Sequence, residues 1–451
     1  MRKLLETAAE YAISYLERLD DRSVAPTHDA IARLETFRET LPDGPTAPEA
    51  VLRLLHEVGS PATMAMAGPR FFGFVVGGSL PATLAANWLA GAWDQNSALY
   101  KVTPATALLE QVALGWLLDI FGLPAGCGGA FVTGATVANF TALAAARHAV
   151  LANAGWDVEA DGLPGAPPIN VVVSEEAHPT LLKSLGLLGL GRKRVTRVPV
   201  DSQGRMRHDA LPPLPTPSIV CTQAGNVNTG ATDPVREVCD RVHAEGGWVH
   251  VDGAFGLWAK AAPSRSRLVA GIENADSWAT DAHKWLNVPY DCGLALVREA
   301  QALRAAMSVT AEYLPTASEE RNPSDFTPEL SRRARGVEVW VALLSLGRSG
   351  LSDLIERTCR HARRFAEGLT ASGHQVLNEV VLNQVLVSFG DAETTNRMIA
   401  DLQTEGTCWF GGTVWQGKTA MRISVSSWAT TDVDVERSLD AILRMAARYR
   451  H

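Results

Sequence analysis

The sequence predicts an α/β protein built on a mainly parallel sheet with helices on both faces. Two observations carry this. From about residue 105 onward, short apolar, β-branched runs alternate with helical stretches, whereas the first hundred residues hold helical periodicity alone. Residues 375–451 then alternate strand and helix in shorter steps, which suits a small α+β unit. The expected organisation is a helical segment over 1–100, a large α/β domain over 101–350 and a small α+β domain over 351–451.

In chain order, helices are expected over 4–19, 28–40, 47–58 and 80–93, interrupted by an aromatic, glycine-bounded loop at 68–78. A helix over 105–121 leads into strands at 130–133, 170–174, 195–200, 218–222, 248–252 and 293–297. Residues 308–328, rich in Ser, Glu, Pro and Thr, read as a mobile polar loop. A long helix pair follows over about 329–372, divided near 347–350 by glycines. The tail reads as strand 384–389, helix 393–405, strand 420–425 and helix 433–448.

Composition narrows the function classes. Of the 451 residues, 46% are hydrophobic and 20% charged, which excludes disordered and coiled-coil chains. The 41 basic residues against 49 acidic ones give a net charge of −8, which argues against nucleic acid or an anionic membrane as partner. The six cysteines are scattered without a C-x-x-C pair, so neither a disulfide framework nor a metal site is expected, and a reducing cytoplasm suits them. The first 21 residues form an amphipathic helix and not a secretory signal. No apolar run is expected to approach the ~18 to 20 residues of a membrane span.

Four features carry chemistry. Thr133-Gly134-Ala135-Thr136 is a strand-to-helix turn of small residues, and free N–H groups at a helix start attract a phosphate; plain capping would use the same turn. Asp252 ends a strand, and Ala254 falls on the same side as Asp252 if the extended chain continues. Alone, such an aspartate also caps a loop. Lys284, one of only seven lysines, sits beside Trp285, Leu286 and Val288. A lysine in apolar surroundings can serve as an amine nucleophile, or as half of a buried ion pair. His178 follows the strand 170–174 at its carboxyl end, where a histidine is most often a satisfied polar residue.

Together the four make one set. A phosphate cradle, an acid to hold a pyridinium proton, a small residue for one face of an aromatic ring, a histidine for the other and a lysine for an aldehyde are the needs of pyridoxal phosphate.

The same residues resemble a known family. The segment 174–191 with His178, the run Gly-Asn-Val-Asn-Thr-Gly-Ala-Thr-Asp-Pro at 225–234, His250-Val-Asp-Gly-Ala254, His283-Lys-Trp-Leu286 and Arg332-Arg-Ala-Arg335 through Trp340 are similar to the pyridoxal-phosphate-dependent group II amino acid decarboxylases, in order from about 40 to 440. The resemblance implies the fold type I architecture of aspartate aminotransferase, with a mainly parallel seven-stranded large domain. It also implies a homodimer with shared active sites, in which the N-terminal helices wrap the partner and the loop at 68–78 is covered. By resemblance Lys284 would bond to the cofactor's aldehyde, Asp252 would pair with the ring nitrogen, and Ala254 and His178 would flank the ring. Gly134, Ala135, Thr136, Asn228 and His283 would hold the phosphate end or lie beside it. Tyr313, in the polar loop, stands where the decarboxylases carry a tyrosine that returns a proton to the substrate after carbon dioxide leaves; phenylalanine there goes with aldehyde synthases.

Some positions depart from the family pattern. Val137 stands where an acidic residue is common, Asp281 where asparagine is common, and Asn228 where a small hydroxyl residue is frequent. Phe74, Asn96 and Ala98 fall at substrate positions that the aromatic decarboxylases fill with tyrosine or bulkier residues. The expected reaction is α-decarboxylation of an L-amino acid; Phe71, Phe72, Phe74, Trp93 and Tyr100 suit either a pocket for an apolar or aromatic side chain or the core of a dimer interface. Transaminase, aldolase and oxidative aldehyde-forming activities on the same cofactor are the alternatives. Arg422, on a tail strand, suits either a carboxylate clamp for a transaminase or a structural role. A regulator built on this fold is expected to carry a basic DNA-binding region, and the acidic, helical N-terminal segment does not resemble one.

Overall fold

The computed structural model describes residues 1–309 and 320–449, and these fall into two compact units. One comprises residues 79–362 and 378–384; the other comprises 1–78, 363–377 and 385–451.

The larger unit is organised by seven strands: β1 (Gly128–Val132), β2 (Asn170–Ser174), β3 (Thr196–Val198), β4 (Ser218–Gln223), β5 (Trp248–Asp252), β6 (Ser277–Asp281) and β7 (Gly293–Val297). They lie in the order β1-β7-β6-β5-β4-β2-β3. All pairings from β6 to β3 are parallel, and only β7 runs against both its neighbours. Burial of both faces explains why β1, β4, β5, β6 and β7 are enclosed along their whole length. The helix Ala135–Asn153 lies across this sheet through Ala138, Ala142, Ala145 and Ala146, in one core with Val132, Val171, Ile219 and Ala279. Alanines here keep the helix backbone close to the strands. A leucine in their place would force the two layers apart.

The helix Pro104–Phe121 corrects one expectation. Its 18 residues, at a mean hydropathy of 1.2, are long and apolar enough to cross a membrane by length and composition. It is a core helix instead, burying Ala107, Ala113, Leu114, Leu117, Leu118 and Phe121 together with Glu110. The fully enclosed Glu110 carboxylate receives Arg332 at 2.7 Å and Arg321 at 3.0 Å. Arg332 also donates to the carbonyls of Ser97 and Phe131, at 3.0 and 2.7 Å. The charges are thus paired, which burial demands, and among the described residues Arg332 Nε is the one nitrogen of that guanidinium left without an acceptor. The long helix Gly336–Ala371 follows, broken at Gly347, whose φ of 59° few other residues adopt.

The smaller unit carries β8 (Gln375–Val376), β9 (Gln384–Ser388), β10 (Gly411–Trp415) and β11 (Lys418–Ser424), in the order β10-β11-β9-β8. The helices Ala392–Glu405 and Asp432–Ala447 belong to it, the second opened by a capping box between Thr431 and Asp434. The loop 68–78, expected to be covered by a partner subunit, is largely covered within its own chain. Phe71, Phe72 and Val75 are buried, with Phe71 stacked on Trp409 and Phe72 packed on Phe365 and Phe410. Arg70 pins the loop by an ion pair to Asp434 at 3.1 Å and by donation to the carbonyls of Asp20 and Thr407. The first helix, Arg2–Glu17, buries none of its residues, and Leu5, Ile13 and Leu16 remain exposed. All six cysteines, by contrast, are buried thiols.

Candidate active site

The site grows from the reversed strand. Gly293 of β7 pairs with Val132 on one side and with Asp281 on the other, so the carboxyl ends of β1 and β6 flank a single glycine. The chain leaves β1 through Gly134 into the helix Ala135–Asn153. A Cβ on Gly293 would lie 2.5 Å from the Gly134 Cα, so only glycine lets the helix start come this close. Asp281 therefore reaches that start: its Oδ1 accepts the Ala135 N–H at 2.6 Å. Its Oδ2 meets Lys284 Nζ at 2.9 Å, and His283 Nε2 stands 3.6 Å from Oδ1. His283 Nδ1 accepts the Cys292 N–H at 3.1 Å, which leaves the ring hydrogen on Nε2, facing Asp281. Tyr290 stacks on the same ring at 4.1 Å, and burial lowers the His283 pKa.

This geometry changes the reading of Lys284. Sequence placed it among apolar neighbours, and Trp285, Leu286 and Val288 are indeed enclosed. The amine itself turns to the Asp281 carboxylate. Lys260 and Lys183 lie elsewhere, Lys260 paired with Glu273 at 2.8 Å and Lys183 exposed.

Asp252, at the end of β5, is enclosed, and its Oδ1 has no hydrogen-bond partner among the described residues. Burial raises its pKa, against which the charges of His178 and Lys284 and the neighbouring Asn139 amide act. Residues 250 and 252 share one face of the strand, so His250 lies beneath the aspartate, toward the helix. His250 Nε2 stands 2.8 Å from Asn139 Oδ1, and its Nδ1 stands 2.9 Å from Ser277 Oγ. An amide oxygen only accepts, so Nε2 carries the hydrogen and Nδ1 accepts the Ser277 hydroxyl. Trp248 Nε1 completes the chain by donating to Ser277 Oγ at 2.9 Å. Asn139 is thereby fixed in one orientation, which leaves its Nδ2 hydrogens for Asp252. Sequence reasoning gave Asn139, Ser277 and His250 no role. The i, i+2 spacing of His250 and Asp252 was the available signal.

The other expected residues fall as follows. His178 caps the helix Pro179–Leu187, its Nδ1 accepting the Thr180 N–H at 3.3 Å. The Ala254 carbonyl accepts the Asp281 N–H at 2.9 Å, which places Ala254 against the same strand end. Thr136 stands in the first helical turn, where N–H groups lack intrahelical partners. Asn228 lies in a turn after β4, its N–H donating to Asn226 Oδ1 at 2.9 Å. Asn96 and Ala98 belong to a segment tied to the chain near 331: Asn96 accepts the Arg332 N–H at 3.0 Å, and Ala98 is buried. Phe74 is 57% exposed in the smaller unit, tilted over Trp409, whereas Phe71 and Phe72 are core residues and not open to a substrate. Arg422 lies on β11 of that unit, its pKa lowered by burial. Tyr313 lies outside the described residues.

Residues 33–390 match the model of the pyridoxal-dependent decarboxylase conserved domain. The chain belongs to this decarboxylase family. It is a pyridoxal-phosphate-dependent carboxy-lyase. The decarboxylase is 29% identical over 385 residues to the aromatic-L-amino-acid decarboxylase of Bacillus atrophaeus, which covers 82% of this chain and 77% of that one. To the L-2,4-diaminobutyrate decarboxylase of Rhizobium meliloti (strain 1021) it is 28% identical over 468 residues, covering 98% and 91%. Its fold matches the crystal structure of Oryza sativa TDC with PLP and tryptamine at a TM-score of 0.92 and 22% identity, over 100% of this chain and 98% of that one. The expected fold type I architecture is thus the observed one.

The residues present fit the cofactor. The unpartnered, buried Asp252 Oδ1 is an acceptor for a protonated ring nitrogen, the start of the helix Ala135–Asn153 offers N–H groups to a phosphate, and Lys284 supplies an amine.

Proposed function

We propose that the decarboxylase removes the α-carboxyl group of an L-amino acid with an apolar or aromatic side chain, releasing the amine and carbon dioxide. The observation that carries the assignment of the site is the buried, unpartnered Asp252 Oδ1, with the charges of Lys284 and His178 close enough to act on it. When bound, pyridoxal phosphate supplies the electron sink for a bond broken at the substrate Cα. Lys284 is the amine that holds the aldehyde end. Asp252 keeps the ring-nitrogen proton in place, and the Trp248–Ser277–His250–Asn139 chain keeps the groups around it in one arrangement. Gly134, Ala135, Thr136, Asn228 and His283 would hold the cofactor's phosphate end, and Ala254 and His178 would flank its ring. His178 also faces the substrate carboxylate. Tyr313 Oη donates a proton to the substrate Cα after carbon dioxide has left.

The preference for an apolar or aromatic side chain rests on the exposed Phe74 and on the likeness to an aromatic-L-amino-acid decarboxylase, with Asn96 and Ala98 as further substrate neighbours. A homodimer is the proposed assembly, supported by the exposed Leu5, Ile13 and Leu16 on a helix none of whose residues is fully buried in its own chain. Six buried, reduced cysteines suit a cytoplasmic setting.

Borohydride reduction of the holoenzyme with peptide mapping, followed by a carbon dioxide assay over the twenty amino acids, tests the reading. A label on Lys284 and fastest release from an aromatic or large apolar substrate are expected. A label on Lys260 or Lys183, or none, overturns the site, and fastest release from an acidic or diamino substrate overturns the preference.

A further inference from the structure

Asp281 uses the groups that the cofactor needs. Its Oδ1 accepts the Ala135 N–H, in the first turn of the helix that offers its N–H groups to a phosphate. Its Oδ2 holds the Lys284 amine. The residue is buried and its backbone is fixed: the Asp281 N–H donates to the Ala254 carbonyl, and the Trp258 indole donates to the Asp281 carbonyl at 2.9 Å.

A helix start stabilises one anion by its unpartnered N–H groups and its dipole. Here a carboxylate of the chain is already seated there. A phosphate brought to the same turn meets a fixed negative charge on a buried side chain, and the two repel more strongly than they would in water.

We propose that Asp281 is an internal competitor for the phosphate cradle, which makes this decarboxylase hold pyridoxal phosphate less through its phosphate than the cradle alone would allow. The inference rests on the site assigned above. Asp281 is a positioning residue: it acts through the Ala135 N–H and the Lys284 amine. Asparagine at 281 keeps an acceptor for Ala135 and removes the charge.

The test is the affinity of the apoenzyme for pyridoxal phosphate and for pyridoxal, which lacks the phosphate, followed by the absorption of the lysine-bound cofactor. In Asp281→Asn, pyridoxal phosphate is expected to bind roughly 10- to 100-fold more tightly while pyridoxal changes less than about threefold. Inorganic phosphate should compete with cofactor loading more strongly in the variant than in the native protein. An unchanged or weakened affinity for pyridoxal phosphate overturns the proposal. So does an equal gain for both ligands, which would trace the effect to Lys284 alone. A measurement on the native protein needs no variant: pyridoxal phosphate is expected to exceed pyridoxal by no more than about tenfold, and an excess above about a thousandfold refutes the competition. Native holoenzyme that gives no borohydride label on Lys284 removes the site assignment and this proposal with it; a labelled native enzyme with an unaffected variant removes the proposal alone.

Discussion

His250 should make the decarboxylase acid-sensitive by a calculable amount. Its ring is fully enclosed, and burial pushes its pKa down to about 3 from an ordinary 6.5. Above the unfolded value the ring is neutral in both states. Between 6.5 and 3 only the unfolded chain binds the proton, so the stability gained from a neutral His250 is complete above that window and lost as pH falls through it. Integration gives a loss of about 2 kcal/mol by about pH 5 and about 3 kcal/mol by about pH 4. His250→Gln retains a donor for Asn139 Oδ1 and cannot take the proton. At neutral pH the variant is expected to be roughly 1–3 kcal/mol less stable, because the buried Ser277 hydroxyl loses its acceptor. On acidification it should then lose about 3 kcal/mol less than the native protein by about pH 4. Urea unfolding at stepped pH, read by tryptophan fluorescence, measures both quantities. Trp248 donates to Ser277 and so reports from within the network. If the stability of native protein and variant falls in parallel from pH 6.5 to about 4, His250 is not held neutral and the hydrogen assignments built on it fail.

Two other substitutions probe fold and chemistry separately. Glu110→Ala leaves the enclosed Arg332 guanidinium without its carboxylate, and a loss of about 3–5 kcal/mol in urea unfolding is expected; a loss below about 1 kcal/mol would mean that the pair is solvated. Tyr313→Phe is expected to lower amine formation by roughly 10²- to 10⁴-fold with cofactor binding retained, and an unchanged amine yield would remove Tyr313 from the reaction.

Much of this molecule could be read from its sequence because burial on both sheet faces leaves uninterrupted apolar runs. Five of the seven strands of the larger sheet stand out in this way, the exposed edge strand β3 is marked by its β-branched residues instead, and the helix boundaries of the tail fall within a few residues of those expected. The strand Ser277–Asp281 does not. Its Ser-Trp-Ala-Thr-Asp composition reads as polar, and its polar groups are satisfied by partners distant in sequence, such as Trp248 and His250 for Ser277. β10 was hidden by two glycines, and the hairpin to β11 turns through Gln416 and Gly417, both at positive φ, a turn that the Gln-Gly pair alone announces weakly. Within the site, the residues that end strands were legible as a set, because carboxyl ends of parallel strands share one edge. The seating of Asp281 was not, since it depends on β7 running backward and on Gly293 standing between Val132 and Asp281. That the aromatic loop is covered was legible, but what covers it was not: composition measures how much apolar surface a segment has, and contacts distant in sequence, such as Trp409 on Phe71, decide what buries it.

The buried cysteines have a practical consequence. Because every native thiol is enclosed and none is at the surface, a maleimide dye or spin label should react with one introduced surface cysteine against a quiet background. A pair of such cysteines, one on the helix Arg2–Glu17 and one on the helix Ala392–Glu405, would turn the smaller unit into its own ruler, able to follow distance changes during cofactor loading without removing any natural residue from the core.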